Sequence, residues 1–121
     1  MDEIASAVRA SAPSKEAAAE HWAVRASRGL SLASPTSLAV TLEGLRRGEG
    51  LASLGQCLAM EYRVAQRFLK HPDFLEGVGS VLRLRGDGGQ QPSQPKWAAA
   101  PTADEVAAFF EPVEGGELEL E

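Results

Sequence analysis

The side chains able to do chemistry are few and scattered. Cys57 is the single cysteine, and His21 and His71 are the two histidines. A reactive nucleophile needs a base within hydrogen-bond reach and a third group to orient that base. Cys57 instead stands at helical spacing beside Leu54, Leu58 and Val64, the setting of a buried structural thiol. His21 reads as a helix-surface residue and His71 as a residue finishing a helix against its carbonyl dipoles. Neither histidine has the ligand spacing of a metal site, and one cysteine excludes both an internal disulfide and a cysteine-rich zinc site. Gly86, Gly88 and Gly89 make no phosphate loop, since no strand precedes them and no helix with a P-loop lysine follows. Residue types and spacing therefore assign no catalytic residue and no metal ligand.

Glu61 is the most informative acid. Its spacing from Leu58 and Ala65 puts a carboxylate on the face of an apolar stripe. A carboxylate there is expected to pair with Arg63, Arg67 or an arginine of the preceding helix, or to meet a partner, which makes Glu61 a structural residue.

Those side chains must be carried by helices. Residues 15–30 alternate alanines with long polar residues, Ser14 is placed as an N-cap, and Ala18, Trp22, Ala26 and Leu30 fall near one face, with fraying at Gly29. Ser34-Pro35 opens a second helix, because proline at the first helical position gives up only an N–H that had no partner. Its stripe is Leu38, Leu42 and Leu45, and Gly48 and Gly50 stop it. Ser53 to Lys70 is the strongest pattern, with Leu54, Leu58, Ala65, Phe68 and Leu69 on one face, widened by Cys57, Met60 and Val64. A helix apolar over so broad an arc needs covering on more than one side. His71-Pro72 ends it, and Phe74, Val78, Val81 and Leu82 mark a shorter fourth helix. Residues 86–95 contain nothing able to fill a core and read as a mobile loop. A last helix starts at Thr102, which has capping-box spacing from Glu105, carries Val106, Phe109 and Phe110, and ends at Pro112. Glu117 to Leu120 is expected to be a short extended tail. With no repeat and no convincing strand pair, the class is all-α with about five helices.

The bulk properties agree. A chain of 121 residues with 44% hydrophobic content has room for one domain. Much of that content is alanine, so the core is expected to be thin. A net charge of -5 without a sustained Lys/Arg stripe argues against direct nucleic-acid contact, and the Arg46-Arg47 pair reads as a solvated helix end. No apolar run approaches the ~18 residues of a membrane span. Met1-Asp2-Glu3-Ile4 is acidic where a mitochondrial presequence is Arg-rich and acid-poor, so no targeting peptide is expected within this chain.

Several strings, read in order, carry a family likeness. Ser34-Pro35-Thr36-Ser37-Leu38, Leu45-Arg46-Arg47-Gly48, Cys57-Leu58-Ala59-Met60-Glu61-Tyr62-Arg63, and His71-Pro72-Asp73-Phe74-Leu75-Glu76-Gly77-Val78 are followed by Pro95-Lys96-Trp97 and Phe109-Phe110-Glu111-Pro112. Together they resemble the C-terminal third of 3-hydroxyisobutyryl-CoA hydrolases, in the enoyl-CoA hydratase/isomerase (crotonase) superfamily. Two departures are Gly79, where that family usually has arginine, and the long Gly/Gln loop before Pro95.

The resemblance implies residues 1–13 as an N-terminal extension, 14–112 as the C-terminal helical region with 86–95 as its flexible loop, and 113–121 as an acidic tail. It implies a thioesterase acting on 3-hydroxyisobutyryl-CoA in valine breakdown, whose oxyanion-holding N–H groups and acids belong to a crotonase core of β-β-α turns that this chain lacks. No catalytic residue is carried over, and this chain alone is expected to be inactive. CoA enters only as part of the substrate, so no separate cofactor is implied. The implied partner is a crotonase core of the same enzyme or a homologous subunit, with acyl-CoA bound only in the complete enzyme, and with no nucleic acid or membrane. The location implied is mitochondrial in a eukaryote and cytoplasmic in a bacterium. Lys96 could approach the CoA phosphates as a point charge, although a solvated loop lysine is the plainer reading, and Trp97 is expected to be structural. The alternative is a non-catalytic scaffold, since hydrolase-like proteins of this family also resemble a mitochondrial ribosome component.

Overall fold

The computed structural model describes residues 2–10, 21–86 and 94–120, and among them it is all-helical. Six helices follow in order: α1 (Asp2–Ala10), α2 (Trp22–Leu32), α3 (Pro35–Glu49), α4 (Leu54–Phe68), α5 (Pro72–Gly86) and α6 (Ala103–Ala108). α1 packs on α2, α3 on α4 and α6, and α4 on α5. Helix α1 lies in the stretch expected to be an extension and adds a sixth helix to the five expected.

The helix starts follow from side chains that reach back to free N–H groups. Ser34 accepts from Ser37 N, Ser53 from Gln56 N, and Thr102 and Glu105 form the full capping box. Two starts are capped by histidines; that of α2 differs from expectation, whereas α5 begins at Pro72, where a fourth helix was expected. His21 Nδ1 accepts from Ala23 N at 3.2 Å, so α2 begins at Trp22; Ser14 and residues 11–20 lie outside the described residues. His71 Nδ1 accepts from Asp73 N at 3.2 Å and so opens α5, while its backbone N–H donates to the Phe68 carbonyl at 2.9 Å at the end of α4. An imidazole nitrogen serves here as the acceptor that serine or aspartate usually supplies. Helix α2 also runs through Gly29 to Leu32, stopped by the Ser34-Pro35 start of its neighbour. Helix α5 extends past Leu82 to Gly86, and 87–93 of the expected loop lie outside the described residues. Helix α6 ends at Ala108, short of Pro112, and the segment from Glu117 to Leu120 is neither helix nor strand.

The core is thin, and a two-residue wedge makes most of it. Among the described residues the buried apolar side chains are Ala23, Val40, Phe109 and Phe110. The two phenylalanines follow α6 directly and meet Val40 of α3, with Met60, Val64 and Phe68 of α4 and Val106 packed around them. Phe109 lies 4.7 Å, centroid to centroid, from Phe68. Phe110 lies under the Arg47 guanidinium at 4.4 Å. A Cβ on Gly44 would be 3.8 Å from the Phe110 ring, so glycine there leaves α3 close to the wedge.

Polar clamps from α4 hold the chain after the wedge. Arg63 donates to the Phe110 carbonyl at 3.3 Å and to Glu117 Oε2 at 2.6 Å. Arg67 donates to the carbonyls of Glu111 and Pro112 at 2.7 and 3.2 Å. The segment read as an acidic tail is fastened at Glu117, whose other oxygen accepts from Val113 N at 2.9 Å.

Two outcomes follow. Phe110→Ala is expected to lose about 3–5 kcal/mol, comparable with the whole stability of a small domain; urea titration followed by far-UV circular dichroism should find it largely unfolded. The hydrogen bond from Arg63, then that from Val113 N, holds the Glu117 carboxyl below its ordinary pKa. A depressed carboxyl contributes its anchoring above the ordinary glutamate range and loses it as pH falls through the folded value. Amide chemical shifts of residues 113–120 should titrate together with a midpoint below that of a free glutamate, and Arg63→Gln should raise that midpoint.

Candidate functional site

Three features could carry function: a buried polar node, an apolar groove, and an uncovered helix face. The node is centred on Asp73, in the first turn of α5 and 5% exposed. Its Oδ2 accepts from Ser34 Oγ at 2.5 Å and its Oδ1 from Ala98 N at 2.7 Å. Ser34, itself buried, also accepts from Ser37 N at 3.1 Å. One carboxylate therefore joins the α2–α3 junction, the start of α5 and the strap at 96–98. The strap has two further ties, Lys96 N to Glu76 Oε1 at 3.0 Å and Trp97 Nε1 to the Leu32 carbonyl at 2.9 Å.

Serine, aspartate and histidine meet here without the connectivity of a nucleophilic triad. Ser34 donates to the carboxylate, and the His71 Nδ1 lone pair is taken by the Asp73 backbone N–H. A triad needs the imidazole to accept the serine proton. The node is a structural lock.

The strap places two of the residues singled out from the sequence. Trp97 lies across α5, and a Cβ on Gly77 would be 3.4 Å from its ring, so the Glu76-Gly77 pair and Trp97 form one packing unit. Lys96 has its backbone fixed by Glu76 while its side chain is exposed.

The groove lies between α3 and α4 and encloses about 590 Å³. Val40, Gly44 and Leu45 form one wall, Met60, Val64 and Phe68 the other, and Phe110 also lines it. Cys57 and Glu61 line it too, one helical turn apart. Cys57 is half-buried at this surface, not sealed in a core as its neighbours suggested. Glu61 does stand beside the apolar stripe, yet it is exposed and forms no ion pair among the described residues. The arginines expected to neutralise it, Arg63 and Arg67, point to the chain after the wedge instead. Spacing along α4 could place Glu61 on a face, but it could not tell that the chain after α6 would claim those arginines.

The third feature is a stripe of large apolar side chains in water. On α5, Phe74, Leu75, Val78, Val81 and Leu82 share a face and are 40–70% exposed. On α4, Leu54 and Leu69 are more than half exposed and Leu58 39%. The outer face of α4, expected to need cover, has none within the described residues. Among those residues no three His, Cys, Asp or Glu side chains are grouped to hold a metal, and no helix is long and apolar enough to cross a membrane.

The lock is open to test. Asp73→Ala removes both acceptors, leaving the Ser34 hydroxyl and Ala98 N–H to find others, and is expected to cost about 2–4 kcal/mol, against about 1 kcal/mol for Ser34→Ala. Thermal melts give the ranking, and tryptophan fluorescence should report release of Trp97 in the Asp73 variant alone.

With this geometry in place, comparisons with known proteins are informative. Residues 1–110 match the model of a family described as enoyl-CoA hydratase/isomerase. A mitochondrial 3-hydroxyisobutyryl-CoA hydrolase of Dictyostelium discoideum is 37% identical over 97 residues, covering 76% of this chain and 24% of that protein. One from Xenopus tropicalis is 33% identical over 99 residues, covering 82% and 25%. The small ribosomal subunit protein mS47 of Neurospora crassa is 33% identical over 107 residues, covering 88% and 20%. The chain thus spans about a quarter of the length of the curated relatives it matches. No solved structure matches it.

Proposed function

The chain belongs to the enoyl-CoA hydratase/isomerase family, and from that premise we propose that it is the C-terminal helical region of a 3-hydroxyisobutyryl-CoA hydrolase. In that role it closes the acyl-CoA pocket and takes part in subunit association. The observation that carries this reading is the uncovered apolar surface of α4 and α5. Leucines 54, 69, 75 and 82 are each more than half exposed. Contiguous apolar surface of this kind marks an interaction site, because water gains when it is removed. A crotonase core, of the same enzyme or a homologous subunit, is the surface that would cover it.

The chemistry divides accordingly. Hydrolysis of 3-hydroxyisobutyryl-CoA adds water to the thioester carbonyl and expels CoA as the thiol, leaving 3-hydroxyisobutyrate. Oxyanion donors and a proton-handling acid are required, and the described residues of this chain offer no such convergent set. Its contribution is to exclude water and hold the pocket wall. Lys96, exposed on a strap whose backbone is tied to Glu76 and Asp73 through residues 96 and 98, would meet the CoA phosphates as a point charge. The mitochondrial names of the relatives support a mitochondrial setting in a eukaryote; a bacterial protein of this kind would work in the cytoplasm.

A second reading is favoured by the likeness to the ribosomal protein. There the same faces would serve as a scaffold, held by protein contacts given the net charge of -5.

The deciding measurement is release of free CoA from 3-hydroxyisobutyryl-CoA by the purified chain, alone and mixed with a separately expressed crotonase core. The chain alone is expected to be silent and the mixture active. Silence in the mixture, with the two pieces shown to bind each other, would give the ground to the scaffold.

A further inference from the structure

A second cavity, of about 500 Å³, lies between the end of α3 and the N-terminal part of α4, with Arg47, Gln56, Arg63 and Phe110 in its lining. Its polar side chains are donors with capacity to spare. Arg47 uses its Nε on Glu43, and Arg63 uses Nε on Glu117 and Nη1 on the Phe110 carbonyl. Both terminal nitrogens of Arg47 and the Nη2 of Arg63 have no hydrogen-bond partner among the described residues. Gln56 gives its oxygen to Ala52 N at 2.8 Å, which leaves its amide nitrogen as a donor. No acidic side chain lines the cavity.

The two guanidiniums are held by one residue. Arg47 lies over the Phe110 ring at 4.4 Å, and Arg63 donates to the Phe110 carbonyl at 3.3 Å. Their counter-charges, Glu43 at 2.7 Å and Glu117 at 2.6 Å, lie outside the lining. Both ion pairs are partly exposed, so each contributes at most about 1 kcal/mol and yields readily to a competing oxyanion. Glu117 shows that Arg63 takes a carboxylate in this setting. It follows a turn at Gly115 and Gly116, whose φ values of 103° and 126° suit glycine and strain other residues.

We infer that this cavity binds the oxyanion group of a ligand, a carboxylate or a phosphate, between Arg47, Arg63 and the Gln56 amide, and that Glu117 restrains it as an in-chain competitor for Arg63. The planar fork of a guanidinium matches both groups. The site does not depend on the proposed hydrolase role. It is built on α3, α4 and the chain after α6, whereas Lys96, assigned there to the CoA phosphates, is on the strap over α5.

The test is an NMR titration of the isotope-labelled full chain at low salt with sodium pyrophosphate and, separately, sodium succinate. Shifts are expected to concentrate on Arg47, Gln56 and Arg63, and the tighter of the two probes assigns the group as phosphate or carboxylate. Glu117→Gln keeps an oxygen for Val113 N but loses the charge, and should tighten binding about two- to fivefold, the worth of one exposed ion pair. A gain of affinity cannot come from lost folding. The double variant Arg47→Gln/Arg63→Gln should weaken binding about tenfold or more, and Lys96→Gln should leave it unchanged. Shifts spread evenly over all the arginines, or an unchanged affinity in Glu117→Gln, overturns the inference. So does loss of binding in Lys96→Gln, which would give the anion to the CoA contact.

Discussion

The fold rests on the Phe109-Phe110 wedge. Helices α3 and α4 face each other across a space that their own side chains leave open, as the groove demonstrates. The pair of rings after α6 fills one end of that space, touching Val40 and Phe68 and lying under Arg47. Helix α6 has only six residues, too few to be stable by itself, so the dependence is mutual. The capping box starts the helix, the wedge holds it, and Arg63 and Arg67 secure the carbonyls beyond. Because so few apolar side chains are buried, each buried aromatic matters more than in a larger core.

Asp73 plays the corresponding polar part. A buried carboxylate is costly unless its oxygens accept hydrogen bonds. Here the Ser34 hydroxyl and the Ala98 N–H donate to one oxygen each, and those groups come from distant parts of the sequence. The lock gives the Pro-Lys-Trp strap a fixed course over α5. The same geometry explains why a serine, an aspartate and a histidine can gather without catalysis: the Ser34 proton is given to the Asp73 carboxylate, and His71 Nδ1 is occupied by the Asp73 backbone N–H.

The surface completes the description. A chain with Leu54, Leu69, Leu75 and Leu82 in water and Arg63 and Arg67 turned toward its own backbone has put part of its polar resources into internal closure and apolar ones outward. That division suits a region whose stability and function are completed by a partner. It agrees with membership of a family in which the matched relatives are about four times the length of the alignment.

Much of the fold was legible in the sequence because helix starts and apolar stripes are local. Ser34-Pro35, Ser53 and the Thr102/Glu105 box fix three helix starts within a few residues, and the strings from Ser34 to Pro112 carry the family likeness. The histidine caps were not legible; at His71, sequence does not distinguish an imidazole closing one helix from one opening the next when only three residues separate the two. Nor was the partner of Glu61. The stripe on α4 predicted its face, but Arg63 and Arg67 were drawn away by carbonyls and a carboxylate about 45–55 residues further along the chain. The sequence by itself determined five of the six helices described, their apolar faces and the family. Only the tertiary structure decided which faces meet, because that choice turned on long-range contacts, the wedge at Phe110 and the carboxylate of Asp73, and local spacing carries no record of them.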